Sequence, residues 1–235
     1  MAGPKATVDI GRVSFSNSKP VAFILGPCQI ESRDHTLHMA ESLSEVAAKT
    51  NSHFVFKASF DKANRTSIHG ARGVGLEAGL EILQEVRESF DVPVTTDIHE
   101  PWQAGAAAPY VDLLQIPAFL SRQTNLLVAA SRTGKPVNIK KGQFMSPTSL
   151  LHSADKVVAS GGDSVLVTER GTMFGYSDLI NDYRALADMK TASVPVVFDA
   201  THSVQQPGQK GESTGGQRRF IPLLAKLAIA VGVAA

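Results

Sequence analysis

Short apolar runs recur along this chain, and helical patterns fill the intervals between them. The runs lie near residues 21–26, 53–58, 92–97, 113–118, 136–140, 164–168 and 194–199. Apolar residues at every third or fourth position mark helices over 35–50, 76–90, 123–134, 149–162 and 220–232. Strands that alternate with helices form parallel sheets, because each crossover helix returns the chain to the same edge. The alternation therefore predicts an α/β fold of the (β/α)8 TIM-barrel type.

The two ends of the chain depart from this alternation. Residues 7–16 alternate around Gly11, which predicts a short N-terminal β-hairpin within a lead-in segment over 1–20. A barrel of this class has eight strands and about 250 residues, whereas the 235 residues end where the eighth strand should begin. We therefore expect one barrel domain over 1–235 without its eighth strand, and a native chain that continues past Ala235.

Polar or charged residues directly follow most of the apolar runs. They are Cys28, Lys57, Asp97, Lys140, Lys141, Glu169, Arg170 and His202. The carboxyl ends of barrel strands meet at one mouth, where active sites of this fold are built. Cations outnumber carboxylates at these ends, although the net charge of the whole chain is only +1. The mouth is therefore predicted to bind small anions, such as phosphates or carboxylates.

The composition excludes several classes of function. A net charge of +1 provides no general attraction for nucleic acid or for a membrane surface. No apolar run approaches the roughly 20 residues that span a bilayer. Cys28 is the only Cys, so no internal disulfide can form, and the N-terminus lacks a signal-peptide pattern. These features predict a cytoplasmic protein in a reducing compartment.

The segment that follows the second run is the densest candidate for binding. It contains Lys57, Ser59, Lys62, Asn64, Arg65 and Thr66. Lys and Arg supply fixed cations for phosphate or carboxylate, and Ser, Thr and Asn add directed hydrogen bonds. The alternative is a solvated basic loop, but the position at a strand end favours ligand binding. Lys140, Gln143 and Arg170 are further candidates for an anion site.

Three features of the sequence each allow more than one interpretation. Cys28 and His202 are a borderline-soft pair of metal ligands at two strand ends, but each residue type is also common in protein cores. A metal would need at least one further ligand, often a carboxylate. Asp97 could bind a hydroxyl or a metal, or could neutralise a lysine. The Gly-rich segment 205–220 could be a closing lid or a flexible surface loop.

Seven motifs together resemble a known enzyme family. They are GPCQIES, KASFDKANRTSIHGARG, TDIHEPWQA, QIPAFLSRQT, NIKKGQF, TERGTMFGY and FDATHSVQ. From about residue 20 to its end, the chain resembles the 3-deoxy-D-manno-octulosonate 8-phosphate synthases. The related 3-deoxy-D-arabino-heptulosonate 7-phosphate synthases share the barrel, but their second-strand motif is closer to KPRTS than to the KANRTS of this chain.

The resemblance implies a transferase that condenses phosphoenolpyruvate with D-arabinose 5-phosphate and water, for lipopolysaccharide sugar biosynthesis. On the family pattern, phosphoenolpyruvate is held by Lys57, Ser59, Lys62, Lys140, Gln143 and Arg170. Asn64 and Asp97 would hold sugar hydroxyls, and Arg65 and Thr66 would hold the sugar phosphate. Phe119 would form the wall between the substrates. The residues expected to take part in catalysis are Lys62, Asp97, Lys140 and His202.

The resemblance also implies a metal and an assembly. Metal-dependent members carry Cys after the first strand, whereas metal-independent members carry Asn. Cys28 therefore implies a divalent metal (Mn, Fe, Zn, Co or Cd) with His202 as a second ligand. Arg65 is expected to reach a neighbouring subunit of a homotetramer. Two alternatives remain: a related synthase of the heptulosonate or sialic acid type, and a non-catalytic barrel that binds sugar phosphates.

Overall fold

The computed structural model describes residues 3–65, 67–173, 178–210 and 213–235, with the backbone alone for 207–210 and 213–214. The strands in chain order are β1 (Thr7–Ile10), β2 (Val13–Ser16), β3 (Phe23–Leu25), β4 (Phe54–Lys57), β5 (Val94–Asp97), β6 (Leu113–Ile116), β7 (Val137–Lys140), β8 (Val165–Glu169), β9 (Thr172–Met173), β10 (Leu179–Ile180), β11 (Val196–Phe198), β12 (Gln205–Lys210) and β13 (Ser213–Gly216). The helices are α1 (Arg33–Thr50), α2 (Leu76–Phe90), α3 (Pro101–Ala107), α4 (Thr124–Arg132), α5 (Pro147–Ala159), α6 (Tyr183–Lys190) and α7 (Ile221–Val231).

Seven of the strands form one parallel sheet in the order β11-β8-β7-β6-β5-β4-β3. Their residues read as continuous apolar runs because a parallel sheet covered by helices is buried on both faces. Each run predicted from the sequence contains or overlaps one of these strands, with bounds within two residues. The prediction of parallel strands joined by helices is therefore confirmed.

Helices α3 and α6 do not appear among the sequence predictions. They have only 7 and 8 residues, too few for a helical period to stand out. Helix α3 begins at a capping box, in which the Glu100 side chain and Gln103 satisfy each other's backbone donors. Local capping therefore defines α3, whereas apolar periodicity does not.

The sheet curls so far that its outer strands approach each other. Ala234 donates from its N–H to the carbonyl of Val196 (2.7 Å), and its carbonyl accepts from the N–H of Ala22 (2.9 Å). Ala235 likewise accepts from the N–H of Phe198 (2.9 Å). Since paired strands lie about 4.8 Å apart, the two edges are about two strand spacings apart at this end. Ala234 and Ala235 thus lie in the place of the predicted eighth strand, but the described residues form no regular eighth strand there.

The interior of the curled sheet has an apolar layer and a polar layer. Strands β1 and β2 pair as an antiparallel hairpin, and the hairpin packs against an apolar layer made of Val55, Leu113, Leu166 and Val197. Two residues further along the chain, on the same face, lie Lys57, Gln115, Thr168 and Asp199. The hairpin therefore covers one end of the interior, and the polar residues line the other.

The helices cover the outer face of the sheet with a second apolar core. Its members include Leu83 of α2, Leu127 of α4, Leu150 of α5 and Leu186 of α6. No helix among the described residues combines the length and the apolar content that a membrane span requires.

Candidate active site

The polar end of the interior opens into a cavity of about 550 Å³, which continues between β3 and β11 to apolar residues of α7 such as Ala228 and Ile229. Side chains from the ends of several strands line it, including Cys28, Lys57, Gln115, Lys140, Asp199 and His202. The parallel pairing explains this convergence, because Lys57 lies opposite Thr95, Asp97 opposite Gln115, and Lys140 opposite Thr168. We call the residues gathered at this end the mouth.

Asp97 is the centre of a buried cluster on β4, β5 and β6. Its carboxylate accepts hydrogen bonds from Ser59 Oγ and from Gln115 Nε2 (2.6 Å), and Lys57 Nζ lies 3.2 Å away. Burial alone would raise the pKa of Asp97, but the charges of Lys57 and Lys62 outweigh it and hold the pKa well below its usual range. Burial lowers the pKa of Lys57, but the negative charges of Asp97 and Cys28 outweigh burial, so the pKa of Lys57 is raised. Both groups are therefore charged at neutral pH.

A relay of side-chain hydrogen bonds extends from Asp97 across the next strands. Gln115 accepts from Asn138 Nδ2 (2.9 Å), and Asn138 accepts from Thr168 Oγ1 (2.6 Å). In both side-chain amides the oxygen accepts a hydrogen bond from the β8 side and the nitrogen donates one to the β5 side. The relay therefore fixes the orientation of both amides. The Asp97 carboxylate thus contacts residues of β4 and β6 directly, and the relay links it to β7 and β8.

Asp199 joins two predicted site residues that lie far apart in the chain. Its Oδ2 contacts both Lys140 Nζ and His202 Nδ1, the latter at 2.6 Å. Its Oδ1 accepts from the His202 N–H (2.9 Å) and from Thr201 Oγ1 (2.8 Å). Burial alone would raise the pKa of Asp199. The charges and hydrogen bonds of His202 and the charge of Lys140 outweigh this effect, so the pKa lies well below its ordinary value. Asp199 is therefore an anion that orients the His202 ring.

The orientation of His202 turns its other nitrogen towards Cys28. His202 Nε2 lies 3.6 Å from Cys28 Sγ. Burial raises the pKa of the Cys28 thiol, but the His202 hydrogen bond and the charges of Lys57 and Lys62 bring the pKa down to about 5. A thiolate and an imidazole nitrogen thus face each other across the mouth at neutral pH.

Two buried polar atoms beside the mouth lack partners. Arg170 donates through Nη2 to Gln205 Oε1 (2.9 Å). Its Nη1 and the Oε1 of Gln143 have no hydrogen-bond partner among the residues that the structure describes. Buried polar atoms are nearly always hydrogen-bonded, so these two atoms are suited to receive a ligand. Gln143 and Arg170 follow the adjacent strands β7 and β8.

The remaining predicted residues lie on the loops around the mouth. Burial and the charge of Lys57 lower the pKa of Lys62. Asn64 is exposed, and Arg65 donates to the carbonyl of Ala71 (2.8 Å) and to Gln29 Oε1. Phe119 is 53% exposed. Thr66 lies outside the described residues.

Segment 205–220, for which a lid was one interpretation, forms the antiparallel pair of β12 and β13. Gln205 at the start of the segment accepts a hydrogen bond from Arg170, and the 3₁₀ turn Arg218–Phe220 forms its end. Its closure over the mouth stays a prediction.

Lys141, which the sequence places among the cations of the mouth, does not belong to it, and its inclusion in that group was wrong. Successive residues of a strand point to opposite faces, so Lys140 faces Asp199 in the cavity while Lys141 points away from it. Gln115, Asn138 and Asp199 were not predicted from the sequence. The same alternation could have found them, because Gln115 and Asn138 lie two residues from an inward-facing neighbour on their strands, and Asp199 continues the pattern one residue past the end of β11.

Comparison with known proteins identifies the family to which this chain belongs. Residues 5–235 match the model of the DAHP synthetase I family. The chain is 55% identical over 234 residues to 2-dehydro-3-deoxyphosphooctonate aldolases of Brucella ovis, Brucella canis and Brucella suis. Each alignment covers 100% of this chain and 84% of the relative. The chain therefore belongs to the DAHP synthetase I family, among relatives that are 2-dehydro-3-deoxyphosphooctonate aldolases, the 3-deoxy-D-manno-octulosonate 8-phosphate synthases.

Proposed function

We propose that this chain catalyses the condensation of phosphoenolpyruvate with D-arabinose 5-phosphate and water. The products are 3-deoxy-D-manno-octulosonate 8-phosphate and inorganic phosphate. The observation that carries the proposal is the gathering of Lys57, Lys62, Lys140 and Arg170 around two buried carboxylates at one mouth. Two anionic substrates repel each other, and fixed cations offset that repulsion while they hold the reacting carbons together.

The steps of the reaction can be assigned to groups of the mouth. Water adds to C2 of phosphoenolpyruvate, and C3 forms a bond to the aldehyde carbon of the sugar. The resulting phosphohemiketal at C2 loses phosphate by cleavage of its C–O bond and becomes a ketone. The aldehyde oxygen must gain a proton and the attacking water must lose one.

We assign the proton donor to Lys62 and the acceptor of hydroxyl hydrogens to Asp97. The lowered pKa of Lys62 makes it a readier proton donor than Lys57, whose pKa is raised. The ionised Asp97 is suited to accept hydrogen bonds from a sugar hydroxyl, as the family pattern implies for Asp97 and Asn64. Lys57, Ser59, Lys140, Gln143 and Arg170 are assigned to phosphoenolpyruvate.

The test of this function is a comparison of two sugar phosphates. Release of inorganic phosphate from phosphoenolpyruvate is measured with D-arabinose 5-phosphate and with D-erythrose 4-phosphate. We expect kcat/KM to be roughly 100-fold higher for the pentose phosphate. A preference for erythrose 4-phosphate would assign the chain to the heptulosonate synthases. No phosphate release with either sugar would contradict catalysis altogether.

A divalent metal is part of the proposal, with Cys28 and His202 as two of its ligands. Around a tetrahedral metal, with sulfur at about 2.3 Å and nitrogen at about 2.0–2.1 Å, the two donor atoms are about 3.6 Å apart. The distance between Cys28 Sγ and His202 Nε2 is 3.6 Å. Among the described residues, no three His, Cys, Asp or Glu side chains cluster to complete such a site. When bound, Mn, Fe, Zn, Co or Cd would polarise the sugar aldehyde.

Replacing Cys28 by Asn is expected to reduce the bound metal because it removes the thiolate ligand. Metal content after dialysis should fall to a small fraction of the wild-type value, as measured by atomic emission. His152→Asn, which removes an exposed imidazole on α5, is the matched control and should retain the metal. Equal metal content in the Cys28 variant and the wild type would contradict the ligand assignment.

We also propose that the enzyme is a cytoplasmic homotetramer in which Arg65 binds the sugar phosphate at a neighbouring subunit. The cytoplasm keeps the Cys28 thiolate reduced. Arg65 lies on an exposed loop and is held there through Gln29 and the carbonyl of Ala71. These contacts leave one guanidinium edge available for an anion.

Arg65→Ala is expected to raise the KM for arabinose 5-phosphate by roughly 10- to 100-fold, since a charge-assisted hydrogen bond contributes about 1.5–3 kcal/mol. The KM for phosphoenolpyruvate should change much less. Arg72→Ala, which removes an exposed cation of the same loop, is the control. Equal effects of the Arg65 variant on both substrates, or full activity from a monomer in light scattering, would contradict the assignment.

A further inference from the structure

Lys141 is a fully buried cation outside the mouth. Its side chain is 0% exposed. Its Nζ donates to the carbonyls of Gly142 (3.2 Å), Met145 (3.1 Å) and Gly171 (3.3 Å) and to Thr172 Oγ1 (2.9 Å). One ammonium group thereby joins two segments, 141–146 and 169–173, which follow β7 and β8.

Glu169 is the anionic partner of Lys141. Its Oε1 lies 3.6 Å from Lys141 Nζ and accepts the backbone N–H groups of Arg170 (3.0 Å) and Gly171 (2.6 Å). Gly171 has φ +92, a left-handed conformation that favours glycine, so the chain turns sharply here. The Glu169 carboxylate therefore fixes the turn from which the Arg170 side chain departs.

The two joined segments carry the two buried atoms beside the mouth that have no hydrogen-bond partner in the described part of the chain. Gln143 belongs to the first segment, and its carbonyl accepts the N–H of Met173 from the second (2.9 Å). Arg170 belongs to the second segment. The contacts of Lys141 hold together the backbone on both sides of these residues, so a change at Lys141 would alter their separation.

A buried ion pair is not needed for stability alone. Its desolvation offsets much of its attraction, and an apolar pair of similar volume is often equally stable. What an apolar pair cannot supply here is an ammonium group within hydrogen-bond distance of three carbonyls and one hydroxyl, with the Glu169 carboxylate beside it as counter-ion. The geometry of the turn therefore depends on the charged pair.

We propose that Lys141 is a positioning residue that, through Glu169, sets the spacing of Gln143 and Arg170 and thereby the affinity of the mouth for phosphoenolpyruvate. This inference rests on the proposed function for the identity of the substrate. It assigns Lys141 no contact with either substrate, in contrast to its neighbour Lys140.

The test uses three variants: Lys141→Met, Glu169→Gln and the double variant. A matched set of controls comes from the exposed pair of Lys49 and Glu45 on α1, whose Nζ and Oε2 are 3.5 Å apart. Lys49→Met, Glu45→Gln and their double variant remove the same charges from a helix surface, where the pair does not join two loops. Each protein is assayed for kcat and for the KM of both substrates, and its folding is checked by its thermal melt.

We expect Lys141→Met and Glu169→Gln each to raise the KM for phosphoenolpyruvate by roughly 10- to 100-fold, because small displacements of binding groups have effects of this size. The KM for arabinose 5-phosphate should change by less than about twofold, a split that general destabilisation would not produce. Either variant folded with an unchanged KM for phosphoenolpyruvate, or with equal rises for both substrates, would overturn the proposal. If both single variants fail to fold, the double variant decides the question by the same criteria, since it buries no unpaired charge.

Failure of the proposed function is distinguishable from failure of this inference. If the wild-type protein binds phosphoenolpyruvate in calorimetry but releases no phosphate with arabinose 5-phosphate, the function is contradicted. The dissociation constants of the variants for phosphoenolpyruvate then test the role of Lys141 directly. Weaker binding by the same factor supports it, and unchanged binding overturns it. Absence of phosphoenolpyruvate binding by the wild type overturns both.

Discussion

Asp199→Asn is expected to lower kcat/KM by roughly 100- to 1000-fold, because one carboxylate serves two groups of the mouth. Asp199 Oδ2 contacts both Lys140 Nζ and His202 Nδ1. A neutral amide would leave Lys140 without its anionic partner, and would no longer select the tautomer that directs His202 Nε2 at Cys28 Sγ. The KM for phosphoenolpyruvate and the metal affinity should therefore both change.

The measurement combines turnover with metal titration. With His202 as a metal ligand, as proposed above, metal affinity of the Asp199 variant should fall by roughly 10- to 100-fold, the usual effect of removing the carboxylate partner of a ligating histidine. The control is Asp155→Asn, because Asp155 and His152 form an exposed pair with the same kind of contact at 3.6 Å. If the variant loses turnover but binds metal as tightly as the wild type, the role of Asp199 is limited to holding Lys140. Unchanged turnover would contradict both roles.

Asp97→Asn is expected to have the largest effect on stability, a loss of about 3–5 kcal/mol in the free energy of unfolding. The change leaves the buried Lys57 without its closest anion. It also places an amide N–H₂ among groups that all donate, namely Ser59 Oγ, Gln115 Nε2 and Lys57 Nζ. At least one donor would then lose its acceptor in the interior, which is costly. Turnover should fall as well.

The same substitution predicts a change in acid stability. The pKa of Asp97 is lower in the folded protein than its unfolded value of about 3.9. The ionised carboxylate therefore stabilises the fold above about pH 4, and this contribution is lost as the pH falls below that value towards the folded pKa. The free energy of unfolding between about pH 4 and pH 2 should decline less steeply in the variant than in the wild type.

Urea unfolding over a pH series measures both effects of the Asp97 substitution. Asp34→Asn, which changes a side chain that is 94% exposed, is the control and should match the wild type at neutral pH. An Asp97 variant as stable as the wild type at pH 7, or one with the same slope below pH 4, would show that the network around this carboxylate contributes little to stability.

Local sequence determined the strands of the parallel sheet, the longer helices and the residue types that end the strands. Burial on both faces makes each parallel strand a continuous apolar run, so β3 to β8 and β11 were visible from residues alone. The longer helices were visible from their period, and α2 agreed at both ends with the predicted 76–90. The motifs also identified the family, because they lie at the strand ends, where the active-site residues of this fold are found.

Only the tertiary structure decided which of these residues act together. Lys140 and Lys141 are adjacent in sequence, but one faces Asp199 across the mouth and the other is buried against Glu169. Asp199 lies 59 residues from Lys140 in the chain and in contact with it in the fold. The relay from Thr168 through Asn138 and Gln115 to Asp97 depends on the register of β5 to β8. Distances between strand ends follow from strand pairing and sheet curl, which no local pattern of residues records.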